Sequence, residues 1–201
     1  MKQLGPFGKM VGASQSFDNK QHQEIVNHLK NYARSHPCEP LVIIGHSYGG
    51  DTAMDVAAEL GDLPCSCIFV VTLDPVSHFD PDTWLGSSPK TGNIDEWTNV
   101  YQPTGIEDVI FDIPVVGWLL GGIWSGLGVP ARNNNMVASG GGQWNYESDA
   151  DLNIPAINPD GRTIDHHGVG HMMNVPFVDE KGTLTTVRNH VNKLSKRNCC
   201  E

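Results

Sequence analysis

The sequence predicts an α/β protein: a mainly parallel sheet with helices on both faces. Three observations carry this. Leu41-Val-Ile-Ile44 and Ser66-Cys-Ile-Phe-Val-Val-Thr-Leu73 are continuous apolar stretches rich in β-branched residues, as strands covered on both faces require. Between them, Thr52-Ala-Met-Asp-Val-Ala-Ala-Glu-Leu60 reads as a helix that Gly61 closes. Strand, helix and strand in that order form the building unit of a parallel sheet.

The remaining elements follow along the chain. Residues 1–18 are rich in Gly and Ser and read as loop. Asn19 to Ser35 reads as a helix with Ile25, Val26, Leu29, Tyr32 and Ala33 on one face. Pro37 marks its end, because the residue before a proline avoids helical geometry. Asn99-Val-Tyr-Gln102 is a candidate third strand, and Asp151-Leu-Asn-Ile-Pro155 a candidate last edge strand. Leu184, Val187, Val191 and Leu194 recur at spacings of 3, 4 and 3, the mark of an amphipathic final helix. No internal repeat is visible, and 201 residues suit a single domain, 1–201.

Between Asp112 and Arg132 lie 19 residues without a charge. The length matches a membrane span, but five glycines and two prolines interrupt it, and the basic flank of a span is missing. It reads as an apolar flap or lid, an insertion at about 106–131. A glycine-rich hairpin packed in the core is the alternative. Residues 133–164 are polar and glycine-rich.

Composition excludes some classes. A formal net charge of -10 with no basic patch argues against nucleic acid as partner; Lys193 to Arg197 fits a helix C-terminus instead. The five cysteines, Cys38, Cys65, Cys67, Cys199 and Cys200, show no zinc spacing, and they do not settle the compartment. Met1-Lys-Gln-Leu-Gly-Pro-Phe-Gly8 has no long apolar run and does not read as a signal peptide. A secreted role would need a specialised export route or a parent chain.

The chemistry centres on Gly45-His-Ser47-Tyr-Gly49. A serine at the apex of a strand-to-helix turn needs flanks without bulk, which Gly45 and Gly49 supply. The helix that follows aims its amide ends at the site and favours developing negative charge. The bare motif arises by chance about 0.15 times in a chain of this composition; the strand before it and the helix after it raise its weight.

A serine becomes a nucleophile through a base and a group that orients the base. With an elbow of this kind the acid and then the histidine follow the serine in the chain. Asp74 closes the next apolar strand in Thr72-Leu-Asp-Pro75, at the strand end where open α/β sheets build their sites. Pro75 stops the strand and fixes where the carboxylate points. For the base, Asp165-His166-His167-Gly-Val-Gly-His171 offers His166, His167 and His171. His22, His28 and His36 precede the serine, His46 lies inside the elbow, His78 sits close behind the acid, and His190 is on the final helix. A zinc reading of His167 and His171, four apart, is disfavoured because Gly168 and Gly170 weaken a helix there and the Glu of His-Glu-x-x-His is missing. No metal and no cofactor is expected.

Gly45-His-Ser-Tyr-Gly-Gly50, Thr72-Leu-Asp-Pro-Val76 and Asp165-His166 together resemble the α/β-hydrolase serine lipases and esterases, in particular the group whose acid follows the strand after the elbow. The segment 133–153, followed by Asp165-His166 and Met172-Met173, is similar to small bacterial lipase-type domains, some of which are antibacterial effectors delivered by secretion machines. The resemblance covers roughly residues 20–195 and implies an α/β-hydrolase-like fold with a reduced N-terminal part. It implies a Ser47, Asp74, His166 triad, with His171 as the second candidate base. It places one oxyanion donor at the backbone amide of Tyr48 and leaves the second to the 5–12 loop. The expected function is hydrolysis of carboxylic esters, with lipid or phospholipid acyl esters as substrate, contact with a membrane surface, and an inhibitor or immunity protein as partner. A thioesterase or acyltransferase on the same fold, or a non-catalytic lipid-binding module, are the alternatives.

Overall fold

The computed structural model describes residues 16–18, 20–61, 63, 66–75, 90–102, 149–164, 166, 168–179 and 181–200. Within these, β1 (Leu41–His46), β2 (Ile68–Leu73), β3 (Glu96–Tyr101) and β4 (Leu152–Pro155) form one sheet in the order β1-β2-β3-β4. Every neighbouring pair is parallel, so the chain is an α/β protein. All four strands therefore end on the same edge. The register aligns Gly45, Thr72, Asn99 and Asn153 in one row across the sheet.

Two layers cover the sheet. Helix α1 (His22–Ser35) and helix α2 (Tyr48–Leu60) bury Val26, Ala33, Met54, Val56 and Ala57 against Leu41, Ile68, Val70 and Trp97. On the opposite face Val71, Leu73 and Val100 meet Met172, Met173, Val187 and Val191. The latter come from the single turn α3 (Val169–Met172), the residues just after it, and α4 (Val187–Leu194). β2 is fully buried along its length, which explains its unbroken apolar sequence. The 3.6-residue spacing in α1 works as expected: Val26 and Ala33 are buried, while Ile25, Leu29 and Tyr32 pack partly buried beside them.

Four sequence expectations change. β3 begins at Glu96 rather than Asn99. Its polar Thr98 and Asn99 hid it from an apolar count, yet both are fully buried, and the Asn99 amide is hydrogen-bonded to Thr72 and Asn153 in its own row. α2 starts at Tyr48 rather than Thr52 and so takes in Gly49 and Gly50. Leu184 does not belong to the final helix. It lies on β6 (Leu184–Thr186), which pairs antiparallel with β5 (Pro176–Val178), and it is 72% exposed. The helix begins only at Val187 because Thr186 caps it, its side chain accepting from the Asn189 amide at 3.3 Å. Finally, Gly168 and Gly170 do not prevent a helical turn. Gly168 precedes α3 and its carbonyl accepts from the His171 and Met172 amides, while burial of Met172 and Met173 outweighs the weak propensity of Gly170.

Two disulfides hold the sheet at its other edge. Cys38, just past α1, is bonded to Cys200, and Cys67, which precedes β2, is bonded to Cys199. The Cys67 carbonyl also accepts from the Leu41 amide at the start of β1. The insertion at about 106–131, the 5–12 loop, Cys65, His78, Asp165 and His167 lie outside the described residues.

Candidate functional site

Ser47 stands between the last residue of β1 and the first of α2 with φ 55° and ψ -131°. A non-glycine residue reaches this region only under constraint. The constraint is visible in the backbone. The Ser47 amide donates to the Leu73 carbonyl at 3.2 Å, and the Ser47 carbonyl accepts from the Gly50 amide at 2.8 Å. Ser47 occupies the cap position of α2, yet its side chain makes no capping bond. Its hydroxyl is directed at a histidine instead.

The glycines around it divide the work differently from the sequence expectation. A Cβ on Gly45 would overlap the Gly49 carbonyl and come within 2.7 Å of the Gly50 Cα, so no side chain fits there. A Cβ on Gly49 would meet nothing within 4 Å. The second close approach is at Gly50, whose Cβ would sit 2.5 Å from the Pro75 Cβ. Gly49 therefore does not provide the small flank; Gly50 does, because the turn after β2 packs onto the first turn of α2.

That second turn carries Asp74. It is fully buried, at φ 43°, and its amide donates to the Val100 carbonyl at 2.6 Å. Its carboxylate meets His166, which is 2% exposed. His166 Nδ1 lies 2.6 Å from Asp74 Oδ2, and His166 Nε2 lies 2.9 Å from Ser47 Oγ. The carboxylate can only accept, so Nδ1 carries the proton and the Nε2 lone pair faces the serine hydroxyl. A hydroxyl, an imidazole and a carboxylate thus form one hydrogen-bonded line across the ends of β1 and β2.

His171 is not in this line. It lies in α3, five residues beyond His166, and is exposed. Tyr48 opens α2 directly after the serine, where a helix N-terminus presents its amides. Among the described residues, no group of three or more His, Cys, Asp or Glu side chains is placed to hold a metal ion, and no helix is long and apolar enough to cross a membrane.

Two further residues reach the site that sequence reasoning passed over. His46 Nε2 lies 2.6 Å from the carbonyl oxygen of His166, and the two rings are 4.7 Å apart at their centroids. Gln102, buried just past the end of β3, donates from Nε2 to the Ile164 carbonyl at 2.5 Å. The one available sequence signal was position: each is a polar residue closing a strand on the edge where the site is built.

In comparisons with known proteins, no family model, no curated protein and no solved structure matches this chain.

Proposed function

We propose that the chain is a serine hydrolase of the α/β-hydrolase type that cleaves carboxylic esters. The observation that carries this reading is the Ser47–His166–Asp74 line, with both imidazole nitrogens engaged at 2.9 Å and 2.6 Å. Ser47 attacks the ester carbonyl while His166 Nε2 takes its proton. Asp74 keeps the imidazole in the right tautomer and stabilises the imidazolium. The amide of Tyr48, at the N-terminus of α2, stabilises the oxyanion. His166 then returns the proton to the leaving alcohol, and water releases the acid from the acyl-enzyme. The strained turn supports the reading as well, because it holds the hydroxyl clear of the helix it precedes.

The uncharged run 113–131 is the ground for taking lipid acyl esters as the substrate class, with contact at a membrane surface. The likeness to small bacterial lipase domains is the ground for an exported antibacterial role with an immunity protein as partner. The test is hydrolysis of short p-nitrophenyl esters by purified protein and by Ser47→Ala. The variant is expected to lose at least about 10⁴-fold in kcat while its thermal midpoint stays within a few degrees. Equal rates for the two proteins would end the proposal.

A further inference from the structure

The segment that carries His166 belongs to no named helix or strand at that point, yet the imidazole must hold two hydrogen bonds at once. After β4 the chain makes a short excursion and returns. Ile157 and Thr163 bridge antiparallel, the Ile164 amide donates to the Ala156 carbonyl at 2.8 Å, and Gly161 turns the loop at φ 81°. These bonds bring the chain to Ile164. Beyond it, two carbonyls are gripped by side chains from the sheet. The Ile164 carbonyl accepts from Gln102 Nε2 at 2.5 Å, at the end of β3. The His166 carbonyl accepts from His46 Nε2 at 2.6 Å, at the end of β1. The two gripped carbonyls bracket the residue before the histidine and the histidine itself.

We infer that His46 and Gln102 are positioning residues that set the backbone carrying His166, and through it the imidazole between Ser47 and Asp74. This rests on the hydrolase reading for its consequence, not for its geometry. A backbone segment without ladder bonds places a side chain only as well as its own carbonyls and amides are held. The donors suit the task. A carbonyl accepts only, so His46 must present Nε2–H, and the Gln102 amide must present its NH₂ group. His46 closes β1, which leads into Ser47; Gln102 directly follows β3; and β2, between those strands, leads into Asp74. The grip therefore ties the base to the same frame as the nucleophile and the acid.

His46→Phe keeps an aromatic ring against His166 and removes the donor. His46→Gln restores an amide donor of similar reach. Gln102→Met keeps the bulk and removes the donor. With a short ester and a fluorophosphonate probe, His46→Phe and Gln102→Met are expected to lower kcat and the labelling rate roughly tenfold to a hundredfold, the cost of a misplaced catalytic group, with KM little changed. His46→Gln is expected to recover most of the loss. A residue that only stabilises the fold would shift the thermal midpoint and leave the labelling rate alone, and its loss would not be repaired by Gln over Phe.

A second readout does not need activity: the far-downfield proton resonance of His166 Nδ1–H against Asp74, assigned by its disappearance in His166→Ala. It is expected to be sharp in the wild type and in His46→Gln, and to broaden or vanish in His46→Phe. Wild-type labelling rates and an unchanged resonance in His46→Phe and Gln102→Met would overturn the inference. A wild type that shows the resonance but neither labels nor hydrolyses would sink the hydrolase reading, while the effect of His46→Phe on the resonance still decides the positioning roles.

Discussion

Among the described residues, a buried and a partly buried histidine–carboxylate pair share one distance and differ in their surroundings. His166 meets Asp74 at 2.6 Å, and His190 meets Glu96 at 2.6 Å. Asp74 follows the end of β2, whereas Glu96 is the first residue of β3, so the pairs sit on opposite edges of the parallel sheet. In the first pair each ring nitrogen has its own partner, a carboxylate on one side and a serine hydroxyl on the other. In the second, one nitrogen serves both Glu96 and Thr98. Arg197 approaches Glu96 at 3.9 Å, and Phe177 stands edge-on to the imidazole at 5.6 Å. On the proposed reading, a reacting pair differs from a structural tie in that its second nitrogen faces a hydroxyl able to react. Strand C-termini leave backbone turns where a nucleophile can be held in an unusual conformation; here the opposite edge is closed by packing and by disulfides.

Substitutions on the two edges break this contrast or sharpen it. Asp74→Asn should cost about 10³ to 10⁴ in ester kcat, because the amide favours the wrong tautomer of His166, with a much smaller change in thermal stability; steady-state kinetics and a melting curve taken together decide it. Opening one disulfide, as in the Cys38→Ser, Cys200→Ser double variant, should lower stability by about 2–4 kcal/mol, measured by denaturant titration, and leave the kcat of the folded protein within about twofold. Opening both should cost more than twice that, because the first bond opened releases a short loop and the second a long one. The bonds span 162 and 132 residues, but they leave from adjacent cysteines, so once one is made the other closes a much shorter loop. Glu96→Ala should lower stability by about 1–2 kcal/mol, because a buried imidazole loses its hydrogen bond to a carboxylate while Thr98 stays in reach, with ester hydrolysis unchanged. A large loss of activity in Glu96→Ala would mean that the two edges are coupled.

What was legible in the sequence was local. The apolar runs of β1 and β2, the glycine-flanked serine and the aspartate before Pro75 each announce themselves within a few residues. The register row Gly45, Thr72, Asn99 and Asn153 does not, because its polar members are buried by virtue of pairing with one another across strands. That is why β3 read as shorter than it is. The histidine of the line was the least legible part of the candidate site. Three histidines lie within six residues of one another, and the resemblance, not their own sequence pattern, favoured His166. In the structure it is His166 that meets Ser47 and Asp74, both far away in the chain. The disulfides were hidden for a similar reason: five cysteines allow many pairings, and spacing does not select among them. Gly49 misled because a motif written as glycine, serine, glycine suggests symmetry, whereas the crowding falls on Gly45 and Gly50.

The close packing of Gly50 on Pro75 has a consequence for how this chain can evolve. The turn that presents the serine and the turn that presents the aspartate share one wall, so neither position is free to drift by itself. A larger residue at 50 would push on the strand end that carries the acid, and a differently shaped residue at 75 would reopen the space that excludes side chains at 50. Descendants of this sequence are expected to keep the two together or exchange them as a pair, and that linked substitution would be visible in an alignment even where the surrounding strands have diverged.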